Sequence, residues 1–143
     1  MGGAPGDDAS TGPSISADGR YVAFSSDATN LVSAEFNFVT NVFVRDRVAG
    51  QTTIVSVSST RAQWGICSGY QPSISADGQF IAFASAASNL VSNDTNGFDD
   101  IFVRDVVHSQ TERISISIDG TQANSYCFEP SISNNGSRAA FAS

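Results

Sequence analysis

The residues best suited to chemistry lie together in Asp94-Thr-Asn-Gly-Phe-Asp-Asp100. Oxygen donors at Asp94, Asn96, Asp99 and Asp100, set around a flexible glycine, have the types and spacing to wrap a hard cation, and calcium suits carboxylate and amide oxygens. The competing reading is an Asx-type turn leading into a strand, because Asp and Asn side chains bond readily to nearby backbone. No bidentate glutamate stands where an EF-hand needs one, although Asp105 falls there by count. Nucleophilic and acid–base chemistry find less support. His108 is the one histidine and Gly-x-Ser-x-Gly is absent, whereas a serine or cysteine nucleophile needs an oriented base beside it. Two carboxylates could serve a glycosidase, but Asp18 and Asp77, and Asp46 and Asp105, sit in copies of the same local sequence. Recurrence suits packing, since a catalytic group is needed once. Cys67 and Cys127 occupy corresponding connections and read as free, partly buried thiols, too far apart for a bridge. Two cysteines without a neighbouring histidine make a poor metal site.

The elements that must position these residues follow from composition. The chain has 143 residues, with seven bases, all arginine, against 14 acids, for a formal charge of −7. That length suits one ordinary domain. Only two leucines (Leu31, Leu90) and three glutamates occur, against 32 serines and threonines, which is a strand-and-turn composition rather than a helical one. The acidic surplus argues against a nucleic acid or an anionic membrane as partner, because either would repel the chain. No apolar run approaches the roughly 18 to 20 residues that span a bilayer. Met1 to Gly12 lacks the basic region and apolar stretch of a signal peptide, and Gly6 stands where a myristoylation signal needs Ser or Thr.

Laid against itself, the chain repeats. Pro13-Ser-Ile-Ser-Ala-Asp-Gly-Arg-Tyr-Val-Ala-Phe24 recurs at Pro72 to Phe83, and again at Pro130 to Phe141. Ala28-Thr-Asn-Leu-Val32 matches Ala87 to Val91, and Asn41-Val-Phe-Val-Arg-Asp46 matches Asp100 to Asp105, so the 58 to 59-residue period runs through the whole unit. Self-similarity of this kind marks a repeat architecture. Each unit reads as four short strands: Pro13 to Ser16, Tyr21 to Ser26, Asn41 to Asp46 and Thr52 to Ser58 in the first. The second has equivalents at Phe80 to Ser85, Asp100 to Asp105 and Thr111 to Ser117. Asp18-Gly19 and Asp77-Gly78 are hairpin turn signals. Strand two is apolar on both faces and belongs inside a sheet stacked between others.

Four antiparallel strands at constant spacing predict a β-propeller blade. The Pro-x-x-Ser-x-Asp-Gly-[Arg/Gln]-aromatic-[Val/Ile]-Ala-Phe stretch, followed by [Val/Ile]-Phe-Val-Arg-Asp, resembles the WD40-like PD40 repeats of TolB-type propellers over residues 13 to 143. The third copy departs, with Asn134-Asn135 and Arg138-Ala139 replacing Ala-Asp and the aromatic–aliphatic pair, which predicts weaker packing there. The expected organisation is an all-β, incomplete propeller of about two and a half blades. An N-terminal tail covers 1-12, blade one 13-71, blade two 72-129 and the first half of blade three 130-143. Rings usually take four to eight blades. The count therefore predicts either a fragment of a longer chain or a homo-oligomer in which several chains share one ring.

Connections between blades, and those between strands two and three, open on one face of such a structure. That face carries Arg61, Trp64, Cys67 and Tyr70 in one copy and Tyr126, Cys127, Phe128 and Glu129 in the next. Aromatics on adjacent loops of a rigid scaffold are what a protein partner or a small polar ligand would use; the alternative is that they plug the channel mouth or pack between blades. The leading expectation is a non-catalytic binding or interaction module. The resemblance implies a periplasmic or secreted scaffold. It also leaves open the propeller part of a hydrolase or a calcium-dependent enzyme, and a self-assembling structural unit is the third reading.

Overall fold

Ten strands carry the regular structure of the computed structural model, which describes residues 5–33, 39–60 and 69–143. The first sheet holds β1 (Ser10–Ile15), β2 (Tyr21–Ser26), β3 (Asn41–Asp46) and β4 (Gln51–Ile54) in the order β1-β2-β3-β4. The second repeats it with β5 (Gly69–Ile74), β6 (Phe80–Ser85), β7 (Asp100–Asp105) and β8 (Gln110–Arg113), and the third pairs β9 (Phe128–Ile132) with β10 (Ala139–Ala142). Every pairing is antiparallel. β6, apolar on both faces, is buried from Ile81 to Ser85, as a strand with neighbouring sheets on both sides must be.

Two boundaries differ from expectation. β1, β5 and β9 begin two or three residues ahead of Pro13, Pro72 and Pro130, because a bulge carries the ladder past the proline. The residue before each proline is left-handed there: Gly12 at φ 57°, Gln71 at 52° and Glu129 at 54°. Glycine adopts this freely, whereas a side chain costs on the order of 1 to 2 kcal/mol. The fourth strands end at Ile54 and Arg113 rather than at Ser58 and Ser117. Ser56 Oγ accepts from Val42 N at 3.1 Å, and Ser115 Oγ accepts from Ile101 N at 3.0 Å. A hydroxyl thus takes the place of the ladder carbonyl, and regular pairing stops.

The hairpin turns repeat atom for atom. Ser16 Oγ and Arg20 N both donate to Asp18 Oδ1, at 2.7 and 2.9 Å, and Asp77 receives Ser75 Oγ and Gln79 N in the same way. The divergent third copy keeps the turn, with Asn135 Oδ1 accepting from Ser133 Oγ and Ser137 N. One oxygen of an amide suffices.

The blades join by a recurring set of contacts. Ile74 N donates to Ser14 Oγ at 3.2 Å, and Ile132 N donates to Ser73 Oγ at 3.1 Å. Ala17 N reaches Ala76 O at 2.9 Å, and Ala76 N reaches Asn134 O at 2.8 Å. Above them the Tyr21 ring lies over Gly78 and the Phe80 ring over Gly136, so closely that a Cβ on either glycine would fall within 2.3 and 2.1 Å of a ring carbon. Between the sheets lies a continuous apolar core drawn from both blades, including Val42, Val55, Ile81, Phe83 and Phe102. Each such side chain contributes about 1.5 to 3 kcal/mol on burial.

Candidate functional site

The Asp94–Asp100 loop and the connection from β8 to β9 form one structure. Asp100 is fully buried at the head of β7, where its carboxylate accepts from Ser115 Oγ at 2.5 Å and from Asn96 Nδ2 at 3.0 Å. Arg113, the last residue of β8, reaches over with Nη1 at 2.9 Å from Asp94 Oδ1 and 3.2 Å from Asp100 Oδ2. The guanidinium thus stands among the carboxylates read in the sequence as cation ligands. The side chains of Arg113 and Asp94 are only 9% and 5% exposed. Burial, and then the Asp100 carboxylate, push Asp94 above the usual carboxylate range, while Arg113 draws it down. Asp99 points elsewhere and accepts from the Tyr70 hydroxyl, and burial together with that bond pushes the phenol up. Among the described residues no three His, Cys, Asp or Glu side chains gather to hold a metal ion. Blade one shows what the network replaces, because Asn41 stands at the position of Asp100, Ile54 at that of Arg113 and Ser56 at that of Ser115.

The loop in turn holds the connection. Thr95 N and Asn96 N donate to Gln122 Oε1 at 3.0 and 3.1 Å, and Arg113 Nη1 donates to the same oxygen at 2.9 Å. Asn96 Nδ2 also donates to Ala123 O at 3.2 Å, and Cys127 N to Asp99 O at 2.8 Å. Phe98 meets Tyr126 edge to face, with ring centroids 5.2 Å apart. A small turn, Ser117 to Thr121, closes on Gly120 at φ 83° and raises Ile118 clear of the surface. The connection is therefore a fixed platform rather than a slack loop. Large apolar side chains stand exposed along it: Ile116, Ile118 and Tyr126, with Phe128 at the start of β9, are four of the seven large hydrophobics exposed among the described residues.

These blades stack as segments of a known propeller. No known family profile and no curated protein matches the sequence, but solved structures do. A TolB from Acinetobacter baumannii superposes with a TM-score of 0.57 at 19% identity, covering 94% of this chain and 26% of that one. A protein assigned as TolB from Agrobacterium tumefaciens superposes at 0.60 with 21% identity, covering 93% and 38%. The fold is that of TolB-type β-propeller blades. The chain spans about a quarter to two fifths of the length of these two proteins, as a partial propeller does.

Within the TolB-like frame the residues singled out from sequence separate. Tyr126 lies in the connection against Phe98, while Phe128 and Glu129 open β9 at its end and Tyr70 donates to Asp99 beside it; Arg61, Trp64 and Cys67 lie outside the described residues. Phe98, Arg113, Gln122, Ile116 and Ile118 were missed. The signal that could have found Arg113 was its replacement of an aliphatic residue, Ile54, at an otherwise faithful repeat position. Cys127 is buried and free, with its thiol pushed up by burial and then by Asp100. Its counterpart one repeat earlier is Gly69, at the start of β5, whose amide likewise donates to Thr40 O at 2.9 Å. His108 sits on the β7–β8 turn with Nδ1 2.7 Å from Asp105 Oδ2, and Gln79 Nε2 donates to the same oxygen at 3.0 Å. Asp105 also accepts from the amides of Val107 and His108, as Asp46 does from Val48 and Ala49. That recurrence makes the aspartate a turn cap.

Proposed function

We propose that this chain is a non-catalytic protein-binding module and that it binds through the β8–β9 platform. The observation that carries the reading is the exposure of Ile116, Ile118 and Tyr126 along one connection, and of Phe128 at its end, with Phe98, Asn96 and Asp99 holding that connection in place. Exposed apolar side chains collected on rigid backbone mark an interaction site, and a surface held in shape before binding loses less entropy when it binds. The TolB-like fold supports the same reading, with a periplasmic setting as its natural place. Calcium at the Asp94–Asp100 loop forms no part of it, because Arg113 already supplies the cation between Asp94 and Asp100.

Panning a random peptide library on the 143-residue chain, then measuring the selected peptides on a Tyr126→Ala/Phe128→Ala variant, tests the proposal. Loss of affinity by about tenfold or more is expected for removal of two aromatic anchors. Selected peptides that bind the variant as tightly as the parent place the binding surface elsewhere.

A further inference from the structure

We infer that the segment this platform takes from its partner is basic, an apolar peptide punctuated by arginine or lysine. The inference rests on the protein-binding reading above and adds its chemistry.

Two exposed carboxylates stand next in sequence to these apolar residues. Asp119 lies next to Ile118 at the tip of the turn, and Glu129 follows Phe128 at the start of β9. Asp119 is held at about 2 by the Ser117 hydroxyl and then by Thr121, so it is ionised throughout the physiological range. Glu129 is fixed by its backbone. It takes a left-handed φ of 54° at the bulge, with its amide donating to Gln71 Oε1 at 2.9 Å, where blade one uses glycine.

No exposed arginine within the connection answers these charges. Between residues 69 and 143 there are eight carboxylates and three arginines. Arg104 is buried and Arg113 is engaged by Asp94 and Asp100, which leaves Arg138 as the exposed cation. Among the described residues, the connection and the start of β9 therefore carry aromatic and aliphatic side chains with exposed carboxylates next to them in sequence. Arginine and lysine satisfy both parts, their heads pairing with carboxylates or lying over an aromatic face. The chain already contains that geometry, with the Arg20 guanidinium 4.9 Å from the Tyr21 ring centroid.

Fluorescence anisotropy with three labelled synthetic peptides tests the inference. In them leucine alternates with arginine, with glutamine or with glutamate. The arginine peptide should bind at least about tenfold more tightly than the glutamine peptide and lose that advantage as salt rises from about 0.05 to about 0.5 M. Asp119→Asn/Glu129→Gln keeps the acceptor oxygens of both side chains, as Asn135 does in the third turn. That variant should weaken the arginine peptide by about tenfold and leave the glutamine peptide unchanged. Equal binding of the arginine peptide by variant and parent, or equal binding of all three peptides by the parent, overturns the inference. Tyr126→Ala/Phe128→Ala separates the two readings. If it weakens no peptide, the platform itself is wrong; if it weakens the arginine and glutamine peptides alike while the charge variant changes neither, only the basic preference falls.

Discussion

Arg113 lies in a setting that blade one does without. There Asn41 and Ile54 occupy the corresponding positions, and Ser56 Oγ donates to Asn41 Oδ1 at 2.9 Å. Blade two has exchanged a neutral pair for an arginine between two carboxylates, and a buried ion cluster of this kind is weak evidence for added stability. What it adds is connectivity, since Arg113 Nη1 contacts Asp94, Asp100 and Gln122 at once. Arg113→Ile alone should cost about 3 to 5 kcal/mol, because it strands Asp94 and Asp100 without their cation. Adding Asp94→Asn and Asp100→Asn should recover more than half of that loss, because the partners are coupled. Urea unfolding midpoints check both; a single variant as stable as the parent would show that the carboxylates are satisfied without the arginine. The same residue limits what the sequence could reveal. Asp94, Asn96, Asp99 and Asp100 have the composition of an ion cage, and the guanidinium that enters it comes from a strand end 13 residues beyond Asp100. Local spacing carries no record of a partner that arrives through the sheet.

At the level of the element, the hairpin turns do two jobs. Gly78 closes its own turn at φ 78° and leaves room for the Tyr21 ring of the preceding blade. Gly97 is also left-handed, at φ 73°, but has nothing within 4 Å of where a Cβ would sit. Gly97→Ala should therefore cost only the backbone penalty of about 1 to 2 kcal/mol. Gly78→Ala should cost about 1 to 3 kcal/mol more, for overpacking against the ring. Thermal denaturation of Gly78→Ala with and without Tyr21→Ala isolates the second part; identical losses in both backgrounds would remove the ring from the account. The turns, the strand sequence and the ten-strand count were legible because Asp-Gly and β-branched runs act locally. The early starts of β1, β5 and β9 were not. A bulge one residue before proline leaves a ladder whose outer part, such as Ser10 to Thr11, has no strand-like sequence of its own. The short fourth strands escaped for a similar reason, since Ser56 and Ser115 look like ordinary strand residues until their hydroxyls meet Val42 N and Ile101 N across the sheet.

In the molecule as a whole, the repeat period made the blade architecture readable. The platform was only half readable, because it is assembled from two loops that the sequence presents as separate candidates. Aromatic residues at 126 and 128 were visible, but the support beneath them comes from Phe98 and Gln122, whose roles exist only once the loops are apposed. The joints between blades have a direction. Each blade offers a ring from its second strand and a serine hydroxyl from its first to the next blade, and that blade answers with a turn glycine and a backbone amide. Blade two thus presents one half of this joint on each side. It is in effect an interchangeable cassette: a duplicate of residues 70–127 spliced in after Cys127 would meet, on both flanks, the surfaces blade two already meets. Such a chain should melt in one transition at a midpoint no lower than the parent's, as nearest-neighbour coupling in repeat proteins requires. A lower midpoint or a second transition, followed by circular dichroism, would show that the blades carry individual addresses.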